Sequence, residues 1–418
     1  MKLSPLFSKI EEARKNIYRF INQTPLDFSD RLSYLFKANI YLKREDLNKT
    51  RSFKIRGALN KILNILKNEK IKNLTVVTAS AGNHAQGVAF ACSRLNIKGV
   101  IFVPVTTPFQ KINRIKYFGD GYVECRVVGN NFSETETIAK DFALKNKFSF
   151  VHPFNDYDVI AGQGTVAYEI LNNFSDVDYI IVPVGGGGLI SGIAGYIKYI
   201  NPKIKIIGVE PKGAASMLLS LRKNRIITLD NLDNFVDGVA VKKIGSITFN
   251  ICKKFVDKFY AIDEGAVAKT MIDLYQNEGI IAEPAGALSV SILDLIRKQI
   301  INKNVVCLIS GGNNDILRYP EILERSLIYE GKKHYFLIEF AQKPGQLKKF
   351  VNNVLGPNDD IVLFEYIKNN NKEKGPVLVG IELQNKNDLK NIIKNLKKFN
   401  FNFKKINLDD PLYIHLLR

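Results

Sequence analysis

The chain contains little cysteine: four residues in 418, standing far apart and without a Cys-x-x-Cys pair. Neither a disulfide framework nor a structural zinc site is therefore expected, and a reducing cytoplasm is the predicted location. The chain also lacks any run of about 18 apolar residues that could span a bilayer. Charged residues at Lys9, Glu11 and Glu12 leave no apolar segment for a signal peptide, so no membrane partner is expected.

Positive charge is abundant but is not clustered. The formal net charge of +19 would by itself suit a nucleic-acid partner. The basic residues are mostly lysines scattered along the chain, and no arginine stripe with interleaved aromatic residues occurs. Because nucleic-acid binding requires a local concentration of positive charge, no nucleic-acid partner is expected.

The length predicts two or three domains. Through most of the chain, short apolar runs alternate with longer amphipathic segments, as is typical of buried parallel strands connected by helices. We therefore predict an α/β fold with helices on both faces of a parallel sheet. The apolar runs include residues 74–78, 99–103, 122–128, 179–184, 204–209 and 305–309.

The pattern changes near Ser326, which predicts a boundary between domains at 1–325 and 326–418. The second part predicts the order β-α-β-β-α-β of a small α+β ferredoxin-like module. Its predicted strands are 334–340, 361–366, 377–383 and a last short strand, its helices are 347–354 and 388–399, and a polar loop is predicted at 369–374.

Four short motifs carry candidate chemistry, and three of them follow a predicted strand and precede a predicted helix. The carboxyl ends of strands are where open α/β sheets bind ligands, so this placement is informative. The motifs are SFKIRGA at 52–58, SAGNHAQG at 80–87, GGGGL at 185–189 and SGGNN at 310–314.

The first motif contains Lys54. A lone lysine is most often a solvated surface residue, but Lys54 follows Phe53 and begins an apolar helical segment. A desolvated amine in such a position has a lowered pKa and can form a Schiff base with a carbonyl group.

The second motif predicts a site for an anion. Its small residues let the backbone approach a ligand closely, and the amides at the start of the following helix face a group such as a carboxylate. The alternative is a helix N-cap formed by Ser80 or Asn83, which would explain one residue of the motif. His84 alone would be an ordinary histidine near a cap.

The third motif predicts a phosphate site. Gly185, Gly186, Gly187 and Gly188 expose their amides without side-chain obstruction at the start of a helix. The motif is neither Gly-x-Gly-x-x-Gly with an acidic residue downstream nor a loop ending in Gly-Lys-Ser/Thr, so nicotinamide and ATP sites are disfavoured. A flexible glycine turn is the alternative.

The fourth motif adds the hydroxyl of Ser310 at the end of a strand. Together the motifs offer an amine for a carbonyl, a glycine loop for a phosphate, a hydroxyl for a ring nitrogen and a Ser/Asn turn for a carboxylate. A cofactor with an aldehyde, a phosphate and a pyridine nitrogen matches all four, which predicts pyridoxal 5'-phosphate.

At this point the sequence resembles the threonine dehydratase (threonine ammonia-lyase) family, in the tryptophan-synthase-β-like class of pyridoxal phosphate enzymes. The resemblance covers nearly the whole chain and implies a two-lobed parallel-sheet fold followed by one ACT-like regulatory domain. Besides the motifs above, it rests on HPF at 152–154, AGQGT at 161–165, DGVAV at 237–241 and AEPAGA at 282–287.

The resemblance implies a role for each motif. Lys54 would carry the cofactor covalently and would take the α-proton of the substrate, with Phe53 packed beside the ring. Asn83 would hydrogen-bond the phenolic oxygen, and Ser310 would face the pyridine nitrogen. The phosphate would be held by Gly185, Gly186, Gly187, Gly188 and Leu189, and the substrate carboxylate by Ser80, Ala81, Gly82, Asn83 and His84.

The implied reaction converts L-threonine to 2-oxobutanoate and ammonia, the committed step of isoleucine biosynthesis, in a homo-oligomer (tetramer or dimer). The ACT-like module implies allosteric regulation with isoleucine and valine as candidate effectors, bound at a turn formed by residues 343–347. No metal site is expected: Glu283 is assigned a structural role, with a part in a cation site as the alternative. Two alternatives stay open: a serine racemase or serine-preferring dehydratase, and a non-catalytic amino-acid sensor that has kept the fold.

Overall fold

The computed structural model describes residues 3–68, 74–366, 373–407 and 410. The chain divides into two compact units, Met1–Asn314 and Asp315–Arg418. The boundary predicted at Ser326 lies inside the helix Tyr319–Tyr329, which belongs to the second unit.

The first unit alternates helices and strands along most of its length. Its helices are α1 (Leu3–Ile17), α2 (Asp30–Phe36), α3 (Lys54–Asn68), α4 (Asn83–Leu95), α5 (Phe109–Gly119), α6 (Phe132–Lys145), α7 (Tyr157–Asn173), α8 (Gly188–Ile200), α9 (Ser216–Arg222), α10 (Ser246–Phe255), α11 (Glu264–Glu278), α12 (Pro284–Ser291) and α13 (Leu293–Ile300). Its strands are β1 (Leu26–Phe28), β2 (Asn39–Arg44), β3 (Thr75–Ala79), β4 (Lys98–Val103), β5 (Val123–Val127), β6 (Ser149–Phe150), β7 (Tyr179–Pro183), β8 (Lys205–Pro211), β9 (Lys258–Ile262) and β10 (Asn304–Ile309).

The larger sheet of the first unit has the strand order β1-β2-β10-β7-β8-β9. Neighbouring strands run parallel, except that β1 is antiparallel to β2. The central strands are buried along nearly their whole length, as expected of a parallel sheet covered on both faces; in β10 only Asn304 is partly exposed. The predicted α/β class is confirmed.

The remaining strands of the first unit form a separate parallel sheet with the order β5-β4-β3-β6. The apolar runs alone predicted one sheet, and the two-lobed arrangement implied by the family resemblance is the one observed. Apolar periodicity identifies buried strands but carries no information on which strands pair, and this is why the runs could not separate the two sheets.

Helices α3, α7 and α8 pack with their backbones in close contact. A Cβ atom on Gly162 of α7 would lie 2.4 Å from the Arg56 carbonyl oxygen of α3. A Cβ atom on Gly192 of α8 would lie 2.5 Å from the Ile160 carbonyl oxygen of α7. No side chain fits between the helices at these points, so the spacing of α3 from α8 is set by α7.

A buried ionic network joins α3, α7 and β2. Lys43, Glu45, Arg56 and Glu169 are all fully buried. The Arg56 guanidinium donates to both carboxylates, with Nε 2.7 Å from Glu45 Oε2 and Nη2 2.9 Å from Glu169 Oε2. Lys43 Nζ donates to Glu169 Oε2 at 2.5 Å and to the Thr24 carbonyl oxygen at 2.6 Å. Two cations thus face two anions, which leaves the buried cluster neutral.

The second unit has the predicted element order β-α-β-β-α-β, preceded by a helix. Its sheet is antiparallel with the order β12-β13-β11-β14, and apolar residues such as Phe336, Phe340 and Phe350 form its core. Residues 369–372 of the predicted polar loop lie outside the described residues. The elements are α14 (Tyr319–Tyr329), β11 (Lys333–Ala341), α15 (Gln346–Val354), β12 (Asp359–Tyr366), β13 (Lys374–Leu383), α16 (Leu389–Lys398) and β14 (Asn402–Ile406).

Candidate cofactor and substrate site

The four motifs lie where strands end or helices begin. Lys54 is the first residue of α3, and Asn83 is the first residue of α4, shortly after β3 ends. Gly188 begins α8 after β7, and Ser310 directly follows β10. These positions place all four motifs at the ends of elements where backbone amides and short side chains can reach a ligand.

The amine of Lys54 lies in a desolvated position. Nζ donates a hydrogen bond to the carbonyl oxygen of Pro153 at 3.0 Å and lies 5.3 Å from the centroid of the Phe53 ring. Although the residue as a whole is half-buried, burial lowers the pKa of the amine to about 8, an effect partly offset by the charge of Glu283. The neutral amine is the form that attacks a carbonyl carbon, so this environment favours covalent chemistry at Lys54.

The glycine loop, residues 185–188, is shaped by close contacts that exclude side chains. A Cβ atom on Gly186 would lie 2.3 Å from the Phe154 ring, and one on Gly185 would lie 2.9 Å from Cα of Val239. Gly187 has a φ of 87° and precedes the first residue of the 13-residue helix α8. The loop therefore presents bare amides at a helix N-terminus, which is a suitable cradle for a phosphate.

Residues 152–155 connect the lysine to the glycine loop. Pro153 accepts the hydrogen bond from Lys54, and the next residue, Phe154, packs against the loop. His152 Nδ1 accepts hydrogen bonds from the amides of Phe154 at 3.2 Å and Asn155 at 2.9 Å. Burial lowers the pKa of His152 to about 4, so the neutral ring acts as an acceptor that holds this segment in place.

Asn83 lies between two polar side chains that are distant in sequence. Its Nδ2 donates to Glu283 Oε1 at 2.7 Å, and its Oδ1 accepts from Asn313 Nδ2 at 2.8 Å. Glu283 is buried; burial and the nearby charge of Asp237 raise its pKa to about 7, although Asn83 donates to it. The sequence assigned Glu283 a structural role and contained no local signal for its contact with Asn83.

Ser310 lies beside the start of α3. Its carbonyl oxygen accepts from the Phe53 amide at 3.1 Å, and the adjacent Gly311 forms a β-bridge with Ser52. Its buried hydroxyl donates to the Ala285 carbonyl oxygen at 3.2 Å, which is long for a hydrogen bond of this type. The hydroxyl can therefore turn toward a better acceptor when one is present.

The turn before α4 does not use a side-chain N-cap. The N-cap position is held by Gly82, whereas the Ser80 hydroxyl accepts from the Gly82 amide at 3.2 Å. Neither Ser80 nor Asn83 caps the helix, so the alternative interpretation of this motif as an N-cap is wrong.

His84 is buried within the first turn of α4. Its Nε2 lies 3.0 Å from the carbonyl oxygen of Val151. Burial and, to a lesser extent, the charge of Lys54 lower its pKa to about 3, so the ring is neutral. A carboxylate-binding role for His84 stays a prediction, and it would have to use an uncharged imidazole.

The residues that converge here fit pyridoxal 5'-phosphate. The glycine loop offers backbone amides without side chains at a helix N-terminus, which a phosphate requires, and the Lys54 amine suits its aldehyde. Two buried polar atoms at the motifs, Ser52 Oγ and His84 Nδ1, have no hydrogen-bond partner among the described residues. Within the same residues, no group of three or more His, Cys, Asp or Glu side chains is arranged to hold a metal ion.

Both parts of the chain match known families. Residues 17–311 match the pyridoxal-phosphate dependent enzymes, and residues 324–416 match the C-terminal regulatory domain of threonine dehydratase. The chain is 48% identical over 402 residues to the biosynthetic L-threonine dehydratase of Halalkalibacterium halodurans, covering 96% of each chain. It is 49% identical over 409 residues to that of Bacillus subtilis, covering 98% of this chain and 96% of the relative.

Solved structures show the same relationship. The processed form of threonine deaminase isoform 2 from Solanum lycopersicum is 37% identical with a TM-score of 0.74, covering 78% of this chain and 94% of that one. Serine racemase from Dictyostelium discoideum is 33% identical with a TM-score of 0.68, covering 74% of this chain and 99% of that one. With matches over almost its whole length, the chain belongs to the pyridoxal-phosphate dependent enzymes and, among them, to the threonine dehydratases with a C-terminal regulatory domain.

Proposed function

We propose that this protein is a threonine ammonia-lyase that converts L-threonine to 2-oxobutanoate and ammonia for isoleucine biosynthesis. The observation that carries the proposal is the convergence of the Lys54 amine, the glycine loop and Asn83 in one site. The match of the C-terminal residues to the regulatory domain of threonine dehydratase supports the same substrate.

Lys54 is the proposed covalent anchor and base. When bound, pyridoxal 5'-phosphate supplies an electron sink that makes the α-proton of an amino acid removable. Lys54 Nζ is desolvated and hydrogen-bonded to the Pro153 carbonyl oxygen, which supports the proposal that the free amine would accept that proton. The backbone of Pro153 keeps the amine inside the site.

The other residues are proposed to hold and orient the ligands. The amides of residues 185–189 would bind the phosphate, and the turn at 80–84 would bind the substrate carboxylate. Ser310 would offer a neutral hydroxyl to the ring nitrogen, and a hydroxyl would stabilise a positive charge there less than a carboxylate would. The weaker electron withdrawal that results is suited to losing a β-hydroxyl group.

Gly186→Ala is expected to weaken binding of pyridoxal 5'-phosphate about tenfold or more, because the new methyl group would overpack the loop against Phe154 at about 1–3 kcal/mol. Fluorescence titration of the apo-protein would measure the dissociation constant. A matched control is Gly356→Ala, at an exposed position where the methyl group would meet only the movable Asp359 carboxylate. Unchanged affinity in Gly186→Ala would contradict a phosphate site at this loop.

The attachment of pyridoxal 5'-phosphate to the apo-protein is expected to accelerate with pH and to level off above about pH 8. The pKa of Lys54 is lowered to about 8 by burial, so the amine becomes neutral through this range. At pH 7 roughly 300 times more neutral amine is present than in free lysine. Stopped-flow absorbance would measure the rate, and a plateau only near pH 10 would show that the amine is solvated.

Release of ketoacid from threonine tests the proposed reaction. Loss of optical rotation from serine without ketoacid would instead support a serine racemase, which the similarity to such an enzyme keeps as a second candidate. A non-catalytic sensor would show neither activity. Its cofactor-loaded form would also lack the visible absorbance band that borohydride removes from a lysine-linked cofactor.

Regulation is proposed to reside in the unit Asp315–Arg418, with isoleucine and valine as effectors. The turn at 343–347 places Gly345, with a φ of 80°, before α15, and it stays the predicted effector site. Assays with each amino acid added would test this. A homo-oligomer and a cytoplasmic location are likewise proposals; within the described ranges, no helix combines the length and apolar character required to cross a membrane.

A further inference from the structure

Asn83 is the third member of a line of four hydrogen-bonded side chains, here named the amide relay: Arg114, Asn313, Asn83 and Glu283. Arg114 Nη2 lies 3.3 Å from Asn313 Oδ1. Asn313 Nδ2 donates to Asn83 Oδ1 at 2.8 Å, and Asn83 Nδ2 donates to Glu283 Oε1 at 2.7 Å. The relay therefore runs from a cation on α5 to an anion at the start of α12.

The charges at the two ends of the relay fix the direction of every hydrogen bond in it. A guanidinium can only donate, so Asn313 must turn its oxygen toward Arg114. An ionised carboxylate can only accept, so Asn83 must turn its nitrogen toward Glu283. If either amide were flipped, two donors or two acceptors would face each other.

Of the two amides in the relay, this arrangement leaves one with an unused donor. The side-chain amide of Asn313 spends both of its N–H groups, one on Asn83 Oδ1 and the other on the Thr50 carbonyl oxygen, each at 2.8 Å. Asn83 Nδ2 also carries two N–H groups, and among the described residues Glu283 is its single acceptor. The second N–H of Asn83 is thus the remaining donor of the two relay amides, at the start of α4 where a ligand is expected.

The local backbone makes room for the Glu283 carboxylate. Glu283 occupies the N-cap position of α12, yet its side chain makes no capping hydrogen bond. Its backbone amide donates to the Gly311 carbonyl oxygen at 3.1 Å, and a Cβ atom on Gly311 would lie 2.4 Å from Glu283 Oε1. The side chain is thus turned away from its own helix and toward Asn83.

We propose that Glu283 and Arg114 are positioning residues that orient the Asn83 amide so that its second N–H is presented to the ring oxygen of the cofactor. The proposal rests on the proposed function, in which Asn83 contacts that oxygen. In this role Glu283 would act on the cofactor through Asn83, the residue whose side chain donates to its carboxylate.

Binding of pyridoxine 5'-phosphate to the apo-protein tests the relay, because this probe has the ring oxygen and the phosphate but no aldehyde to react with Lys54. Glu283→Gln and Asn83→Ala are each expected to raise the dissociation constant about tenfold. The double variant should also lose about tenfold in affinity, and not a hundredfold, because the carboxylate of Glu283 has no effect on binding once the Asn83 amide is absent. The proposal would be overturned if the effects of the two substitutions on the dissociation constant multiplied in the double variant, or if Asn83→Ala had no effect.

The difference between wild type and Glu283→Gln should also depend on pH. The pKa of Glu283 is raised to about 7 by burial, in an environment that contains Asp237, Lys111 and Lys54. Above pH 7 the ionised carboxylate accepts from Asn83, whereas below it the protonated group resembles glutamine. The dissociation constants of wild type and Glu283→Gln for the probe should therefore approach each other as the pH falls from 8 to 5.5. A ratio of the two constants that does not change with pH would contradict the relay.

Arg114 provides an independent test at the other end of the relay, should Glu283→Gln fold poorly. Arg114→Gln is expected to weaken probe binding severalfold, and Arg114→Lys to preserve it, because lysine is also a pure donor. Glu12→Gln, on an exposed side chain, is the control for loss of one carboxylate. If Arg114→Gln and Arg114→Lys lost the same affinity for the probe, the proposed role of Arg114 would be overturned. Failure of the threonine assay in the wild type, with the relay effects intact, would reject the proposed reaction alone.

Discussion

Replacing Lys54 by alanine is expected to lower the rate of ketoacid release from threonine roughly a thousandfold or more, because the variant would lack both the proposed covalent anchor and the proposed base. Ketoacid assays with saturating cofactor would measure the loss. The fold should persist: the hydrogen-bond partner of the amine within the described residues is the Pro153 carbonyl oxygen. Removing the amine removes the cost of its own burial, and the buried Glu283 carboxylate that interacts with it keeps its hydrogen bond from Asn83, so the melting temperature of the apo-protein should change little.

Lys49→Ala is the matched control for this prediction. Lys49 is an exposed lysine five positions earlier, whose amine lies 3.5 Å from the Phe20 carbonyl oxygen and 5.8 Å from the centroid of the Phe90 ring. This control should retain full activity. Turnover like that of the wild type in Lys54→Ala would show that another group removes the proton, and the proposed role of Lys54 would then be abandoned.

Arg56→Ala should lower the free energy of unfolding by about 3–5 kcal/mol, because it leaves Glu45 and Glu169 buried with only Lys43 to balance them. Burial by itself would raise the pKa of Glu169, but Arg56 and then Lys43 lower it well below 4.5. The stabilisation from this ion pair is therefore complete above pH 4.5 and is lost as the pH falls further. Denaturant titration at pH 7 would measure the difference.

Arg94→Ala is a suitable control, because Arg94 is exposed and lies over the Phe90 ring with 5.4 Å between the guanidinium carbon and the ring centroid. Its removal should cost less than about 1 kcal/mol. The difference in the free energy of unfolding between wild type and Arg56→Ala should also become smaller in acid, where Glu169 becomes protonated. A cost below 1 kcal/mol for Arg56→Ala would mean that the cluster hydrates or rearranges when the arginine is removed.

The sequence allowed the chemistry of the site to be predicted more fully than its contacts. Lys54, the glycine loop and Ser310 could be named as candidates because each motif has a local signal: a lysine at a helix start, consecutive glycines or a polar residue after a strand. The pairing of Asn83 with Glu283 had no such signal, since the two residues are 200 positions apart in the chain. The Pro153 carbonyl was missed for a related reason, because a backbone oxygen has no residue type to recognise.

For the fold, too, features encoded in a local segment could be predicted, whereas contacts between segments distant in sequence could not. The second unit could be ordered from its own periodicities, whereas the first unit required knowledge of strand pairing that periodicity does not contain. Strands as short as β1 and β6 are too brief for a periodic pattern and are stabilised by their neighbours. The helix α14 explains why the change of pattern near Ser326 does not coincide with the division after Asn314.

The direct backbone contacts of α7 with α3 and α8 have a consequence for cofactor binding. Because Gly162 and Gly192 allow direct backbone contact, these three helices pack as one rigid block, and the distances between them are fixed when the chain folds. The Lys54 amine at the start of α3 and the glycine loop at the start of α8, the proposed anchor and phosphate site, are thus held in position before the cofactor binds. Little conformational entropy is then lost on binding, which favours tight retention of the cofactor between turnovers.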